Sequence, residues 1–295
     1  MIEAASCEVE NPFDRLLLIL AGKEKSGKSR CAATARKPVL FFDFDRRRQS
    51  LAGLKDVYAI TIADEGAPRM PTGFNDLLSI LSKLEGGATI KDLIPGSNDT
   101  RRPKTLVFDS LTSFGKCAGD HAMYSNPALC REITVTGMKI KFPNGWDTWN
   151  AESSMVYSAV MRAMAVRMPG QTKPEMDIIL CFHEQAEETP DSNQEKRKFT
   201  GRVELYPGRY QIFNKYFSEV WRVSRESGGL IPKIQVIPDY RFAASSGLDF
   251  SKINDSQIND PAKGPNIERM IELVLGKTNT LPTQFQSSAV SSQTK

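Results

Sequence analysis

Histidine is nearly absent from this sequence, with two in 295 residues, and no Cys-x-x-Cys pair occurs. The spacings of zinc sites are therefore missing. His183-Glu184-Gln185-Ala186-Glu187 lacks the second histidine of H-E-x-x-H, which argues against a zinc protease. The five cysteines are scattered and odd in number, so no disulfide framework is expected and a reducing compartment is. No run approaches the roughly 18 apolar residues of a membrane span. The opening residues 1–14 are acidic and lack the basic-then-apolar order of a signal peptide, so a cytoplasmic location is expected. No internal repeat is visible. The net charge of +4 does not by itself indicate a nucleic-acid binder.

What is present is an ordinary globular composition, 40% apolar and 25% charged, in a chain long enough for a large core. The expected layout is a loose lead-in over 1–13, one α/β domain over 14–276 and a disordered polar tail over 277–295. Within the domain, Leu16–Ala21 is an apolar run that breaks into Gly22-Lys23-Glu24-Lys25-Ser26-Gly27-Lys28-Ser29 and then a small-residue segment from Arg30. These eight residues match G-x-x-x-x-G-K-[ST] in its required strand-to-helix setting. The glycines let the backbone curl so that N–H groups face phosphate oxygens, and the following helix adds its positive end. Lys28 would reach the β/γ-phosphates, and the Ser29 hydroxyl would ligate Mg²⁺.

Further strands are expected at Val39–Asp45, Val57–Ile62, Lys104–Ser110 and Met176–Phe182. Helices are expected at Phe74–Leu84, from Leu111, at Asp147–Met168 with Asp147 as N-cap, at Arg209–Tyr216 and at Asn266–Leu275. Residues 124–146 read as irregular and 186–201 as a polar loop. Glu219–Arg225 and Leu230–Ile237 flank Ser227-Gly228-Gly229 as a hairpin. Strands alternating with helices predict a mostly parallel sheet with helices on both faces, extended at one edge by that hairpin. Ligands of such sheets bind beyond the carboxyl ends of the strands. There the chain places the glycine-rich loop, Asp43, Asp45, Asp109 and His183. Asp109 suits a carboxylate that holds Mg²⁺. Asp45 is the candidate for orienting or deprotonating a water, with Asp43 as the alternate. His183 is a candidate sensor of the γ-phosphate.

In this order the four segments Gly22–Ser29, Phe41–Asp45, Thr105–Ser110 and Ile179–Gln185 resemble the RecA-like P-loop NTPase core. The layout is most similar to phage-encoded Sak-type recombination ATPases, over roughly residues 14–240. The resemblance implies ATP with Mg²⁺ as the cofactors. It also implies a ring or filament of identical subunits, single-stranded DNA as a partner and possible work beside a single-strand-binding protein. The family carries a catalytic glutamate where Asp45 stands. Its DNA-facing loops would fall at 124–146, with Lys139, Lys141 and Trp146, and at 186–202, with Lys196, Arg197, Lys198, Phe199 and Arg202. Cations with an interleaved aromatic suit backbone tracking and base stacking. A basic residue acting in trans is implied near the end of the sheet, for which Lys233 and Arg241 are available. The expected function is a DNA-stimulated ATPase in recombination or annealing. The alternatives are a P-loop nucleotide or small-molecule kinase, or a nucleotide-gated DNA-binding module with little turnover.

Overall fold

The computed structural model describes residues 15–62, 71–135, 138–167, 174–187, 198–203, 213, 215–225, 231–236, 248–260 and 262–276. In chain order the elements are β1 (Leu17–Gly22), α1 (Lys28–Ala32), β2 (Val39–Asp43), β3 (Val57–Thr61), α2 (Gly73–Glu85), α3 (Ile90–Leu93), β4 (Thr105–Asp109) and α4 (Leu111–Ser125). There follow β5 (Cys130–Val135), β6 (Met138–Pro143), α5 (Trp146–Ala165), β7 (Asp177–Glu187), β8 (Lys198–Val203), β9 (Glu219–Ser224), β10 (Lys233–Gln235), α6 (Asp255–Ile258) and α7 (Ile267–Val274). Among the described residues no helix is long and apolar enough to cross a membrane.

The apolar runs pair as one sheet in the order β10-β9-β1-β7-β4-β2-β3, with β8 attached to β7. Every pair from β9 to β3 is parallel. The strands are apolar on both faces because both faces are covered. Ile19, Phe42, Phe108 and Leu180 pack against Leu77 and Leu81 of α2, Phe114 of α4 and Val160 of α5. Their neighbours Leu20, Phe41, Val107 and Cys181 face the opposite layer, with Cys31 of α1, Phe250 and Met270 of α7. This is the α/β architecture expected, and the edge hairpin is there too: β9 runs parallel to β1 and β10 turns back antiparallel.

Two segments differ from expectation. Residues 124–146 are not irregular: β5 and β6 form a separate two-stranded antiparallel sheet with Ile133 opposite Ile140. Ile133, Val135, Ile140 and Phe142 alternate with polar residues, a strand period that Pro127 before β5 and Pro143 at the end of β6 obscured. Residues 186–201 are not simply a loop, because β7 runs on past Phe182 to Glu187 and pairs with β8. Smaller shifts occur at α5, which starts one residue early with Gly145 as its N-cap rather than Asp147, and ends at Ala165. Most of Arg209–Tyr216, all of 1–13 and 277–295 lie outside the described residues.

At the amino ends of the strands, buried Asp177 ties the sheet together. It accepts from the Leu16 backbone N–H at 2.7 Å and from Arg36 at 2.5 and 2.7 Å. One carboxylate thus anchors the entry to β1, the segment after α1 and the start of β7. Truncation leaves a buried N–H without an acceptor and a cation without its partner. Asp177→Ala is therefore expected to lower unfolding stability by about 2–4 kcal/mol. Denaturant titration checks this, and a midpoint equal to wild type would remove the anchor role.

Candidate functional site

Because β1, β7, β4 and β2 are parallel, their carboxyl ends meet at one rim. The register places Gly22 beside His183 and Asp43 beside Asp109. The chain beyond β2 is drawn onto β4 by the Phe44 N–H, which donates to the Asp109 carbonyl at 2.8 Å. Phe44 is anchored against Phe114, with ring centroids 4.8 Å apart. These contacts bring Asp45 over the end of β4.

The glycine-rich loop is shaped by its neighbours as well as its ligand. A Cβ on Gly22 would stand 2.2 Å from the Val223 carbonyl oxygen of β9, so only glycine fits. Gly27 has φ near +103°, a left-handed value that favours glycine. Lys28 is buried and donates to the carbonyls of Gly22 and Lys23 at 2.7 and 2.8 Å. Its Nζ is also 3.4 Å from His183 Nδ1. Burial pushes its pKa down, while Cys181, Asp109, Glu184 and Asp45 oppose that shift. A phosphate chain would give this ammonium the anionic partner that loop carbonyls replace only in part. Ser26 Oγ is buried without a hydrogen-bond partner among the described residues, a free donor inside the same loop. Lys23, Glu24, Lys25 and Arg30 are exposed on its rim, with Glu24 3.3 Å from Arg47.

Ser29 donates to Asp109 Oδ2 at 2.5 Å. Burial raises the Asp109 pKa, only partly countered by that hydrogen bond. Two hard oxygen ligands at one point, one carrying an under-compensated charge, fit Mg²⁺. Among the described residues no cluster of three His, Cys, Asp or Glu could hold a metal alone. A cation here would take its remaining ligands from phosphate and water, as Mg²⁺ commonly does. Asp109, Ser29, Lys28 and the loop would hold Mg²⁺ and a nucleotide, and the metal would screen charge on the transferred phosphoryl group.

The two carboxylates after β2 have different surroundings. Asp43 is buried and accepts from the backbone N–H groups of Arg47 and Arg48, both at 3.0 Å. It closes a turn. Asp45 faces the site: its carboxylate lies 3.4 Å from His183 Nε2, 3.4 Å from Ser110 Oγ, and accepts a short hydrogen bond from Ser113. Burial would raise its pKa, but the His183 and Ser113 hydrogen bonds outweigh that and hold it below the usual carboxylate range. His183 therefore bridges Lys28 and Asp45.

The remaining candidates are placed as follows. Lys139 and Lys141 lie on β6, and Lys198, Phe199 and Arg202 on β8. Lys233 is exposed at the start of β10. Lys196, Arg197 and Arg241 lie outside the described residues. Sequence reasoning missed Ser113 and the Glu184–Arg222 pair, where Arg222 of β9 reaches across β1 to the buried Glu184 carboxylate at 2.5 and 3.1 Å. Glu184 follows the candidate sensor directly, but its partner lies 38 positions away.

A parallel sheet, a glycine-rich loop with a buried lysine, a serine–aspartate oxygen pair and a poised second carboxylate together define a P-loop ATPase. The chain matches the family model described as an AAA domain over residues 15–234, and it belongs to that family. No curated protein matches it. Among solved structures it is similar to the flagellar accessory protein FlaH from Methanocaldococcus jannaschii, at 14% identity over 79% of this chain and 90% of that one. The TM-score there is 0.30, and the fold described above stands on its own strand order.

Proposed function

We propose that this AAA-domain protein hydrolyses ATP with Mg²⁺ and uses the cycle to act on single-stranded DNA in recombination or annealing. In this reading it resembles the phage-encoded Sak-type ATPases, working in a host cytoplasm as an oligomer beside a single-strand-binding protein. The supporting observation is the continuity of β7. His183 lies within that strand, level with the glycine-rich loop, and from the next residue, Glu184, to Glu187 the same strand pairs with β8, which carries Lys198, Phe199 and Arg202. A change at the phosphate end thus has a short, hydrogen-bonded route to a basic segment with an aromatic residue. The β5–β6 hairpin, with Lys139 and Lys141, is a second basic projection. It leads into α5, whose first residue, Trp146, is 66% exposed. Between neighbouring subunits, Lys233 or Arg241 would supply the basic residue in trans.

Anisotropy of a labelled oligothymidine tests this reading. Binding should strengthen with a non-hydrolysable ATP analogue and weaken with salt. Replacing Lys198 and Arg202 together by alanine should reduce the log–log salt slope by about 1–2, the value for two lost phosphate contacts. Salt-independent binding, or none with nucleotide present, would remove DNA from the account.

A further inference from the structure

The nucleotide reading leaves one side of the loop without a role. The γ-phosphate end is fixed by Asp109, Asp45 and His183, on β4, after β2 and on β7, all to one side of β1. A nucleotide lying along Gly22–Ser29 with its terminal phosphate toward those groups must carry its sugar and base the other way, over β9 and β10. Three features converge there. A Cβ on Gly27 would stand 2.8 Å from Pro232 Cβ and 3.5 Å from a terminal guanidinium nitrogen of Arg225. A Cβ on Gly264 would stand 3.1 Å from Ile231 Cγ2 and 3.7 Å from Pro232 Cδ. Ile231 is 37% exposed, a large aliphatic side chain left open beside a polar loop.

Arg225 directly follows β9 and is exposed. Among the described residues it makes no hydrogen bond or ion pair. Its charge is felt inside α1: burial pushes the Cys31 thiol up to about 12, and Arg225 opposes that shift. A guanidinium beside the last glycine of the loop is therefore available to an anion bound in it. Arginine suits that role because its planar fork meets two phosphate oxygens at once.

We propose that Arg225 and the Ile231–Pro232 step form the nucleoside-side wall of the nucleotide site. The Arg225 guanidinium binds the phosphate nearest the sugar, and the aliphatic step seats one face of the base. The inference rests on the ATP-binding reading and extends it to the residues that hold the other half of the ligand. Glycine at 264 keeps the step open, since a side chain there would press on Ile231 and Pro232.

Calorimetric titration of the full chain with Mg·ADP and with magnesium tripolyphosphate tests the assignment, because the second ligand has phosphates and no nucleoside. Arg225→Ala should weaken both ligands by about tenfold or more, the loss of one charge-assisted contact. Arg225→Lys should recover part of that loss. Ile231→Ser should weaken ADP severalfold and leave tripolyphosphate unchanged. All three variants alter exposed side chains, so unchanged thermal melts are expected and separate binding from folding. Arg225→Ala binding both ligands as wild type does would overturn the arginine assignment. Ile231→Ser weakening both ligands equally, or neither, would overturn the base seat. Wild type failing to bind ADP at all would instead overturn the nucleotide reading beneath both.

Discussion

Replacing Lys28 by alanine should abolish measurable ATP binding while leaving the fold intact. The ammonium is buried within the loop, and its two close partners are neutral carbonyls. In the ligand-free protein its hydrogen bonds offset a desolvation cost, so their joint removal changes unfolding stability by only about 1 kcal/mol. With nucleotide bound, the same group meets anionic oxygens in a site shielded from water. Losing that interaction costs about 3 kcal/mol or more, roughly a hundredfold or greater fall in affinity. Titration of a fluorescent ATP analogue, paired with thermal melts, separates the two effects. A variant that melts as wild type and still binds the analogue tightly would show that the loop does not hold phosphates.

Asp45→Ala should give the opposite pattern. Asp45 touches neither Lys28 nor the Ser29–Asp109 pair in any described hydrogen bond; it meets His183, Ser110 and Ser113. Nucleotide affinity should stay within about twofold, while turnover falls by roughly 10²–10⁴, the range for losing a positioned acid–base group. The carboxyl is held below its ordinary pKa by His183 and Ser113, against the opposing effect of burial. A carboxylate so stabilised is a weak base. In the proposed ATPase such a group would chiefly orient the attacking water, with the proton leaving late in the reaction. Asp45 is one methylene shorter than the glutamate that the resemblance implies, so under the proposed function slow turnover is expected. Loss of ATP binding in Asp45→Ala would make its role structural. Single-turnover phosphate release beside equilibrium binding distinguishes these outcomes.

The phosphate loop was legible because its signal is local: eight residues between an apolar run and a helix. The strand ends were legible for a related reason. Apolar runs that stop at Asp43 and Asp109 declare both their burial and their polarity, whereas the run before His183 marked the rim but not the end of β7, which continues to Glu187. The choice between Asp43 and Asp45 was not legible, since it depends on which carboxylate the turn at Arg47 and Arg48 consumes. The β5–β6 and β7–β8 hairpins were hidden by polar and charged residues that read equally well as loop. Gly22 carried a second meaning beyond the curl of the loop. It is also forced by the Val223 carbonyl of β9, a strand almost 200 residues later that sequence spacing cannot place. The Glu184–Arg222 pair and the approach of Arg225 to Gly27 have the same origin: both arise only when β9 docks beside β1.

The most direct test of the central claim is phosphate release from Mg·ATP by the wild-type chain, measured beside Lys28→Ala and with and without a single-stranded oligonucleotide. The account predicts magnesium-dependent release by wild type, raised by the oligonucleotide and absent in Lys28→Ala. Wild type that binds Mg·ATP yet releases no phosphate under either condition, or Lys28→Ala that hydrolyses as fast as wild type, would contradict it.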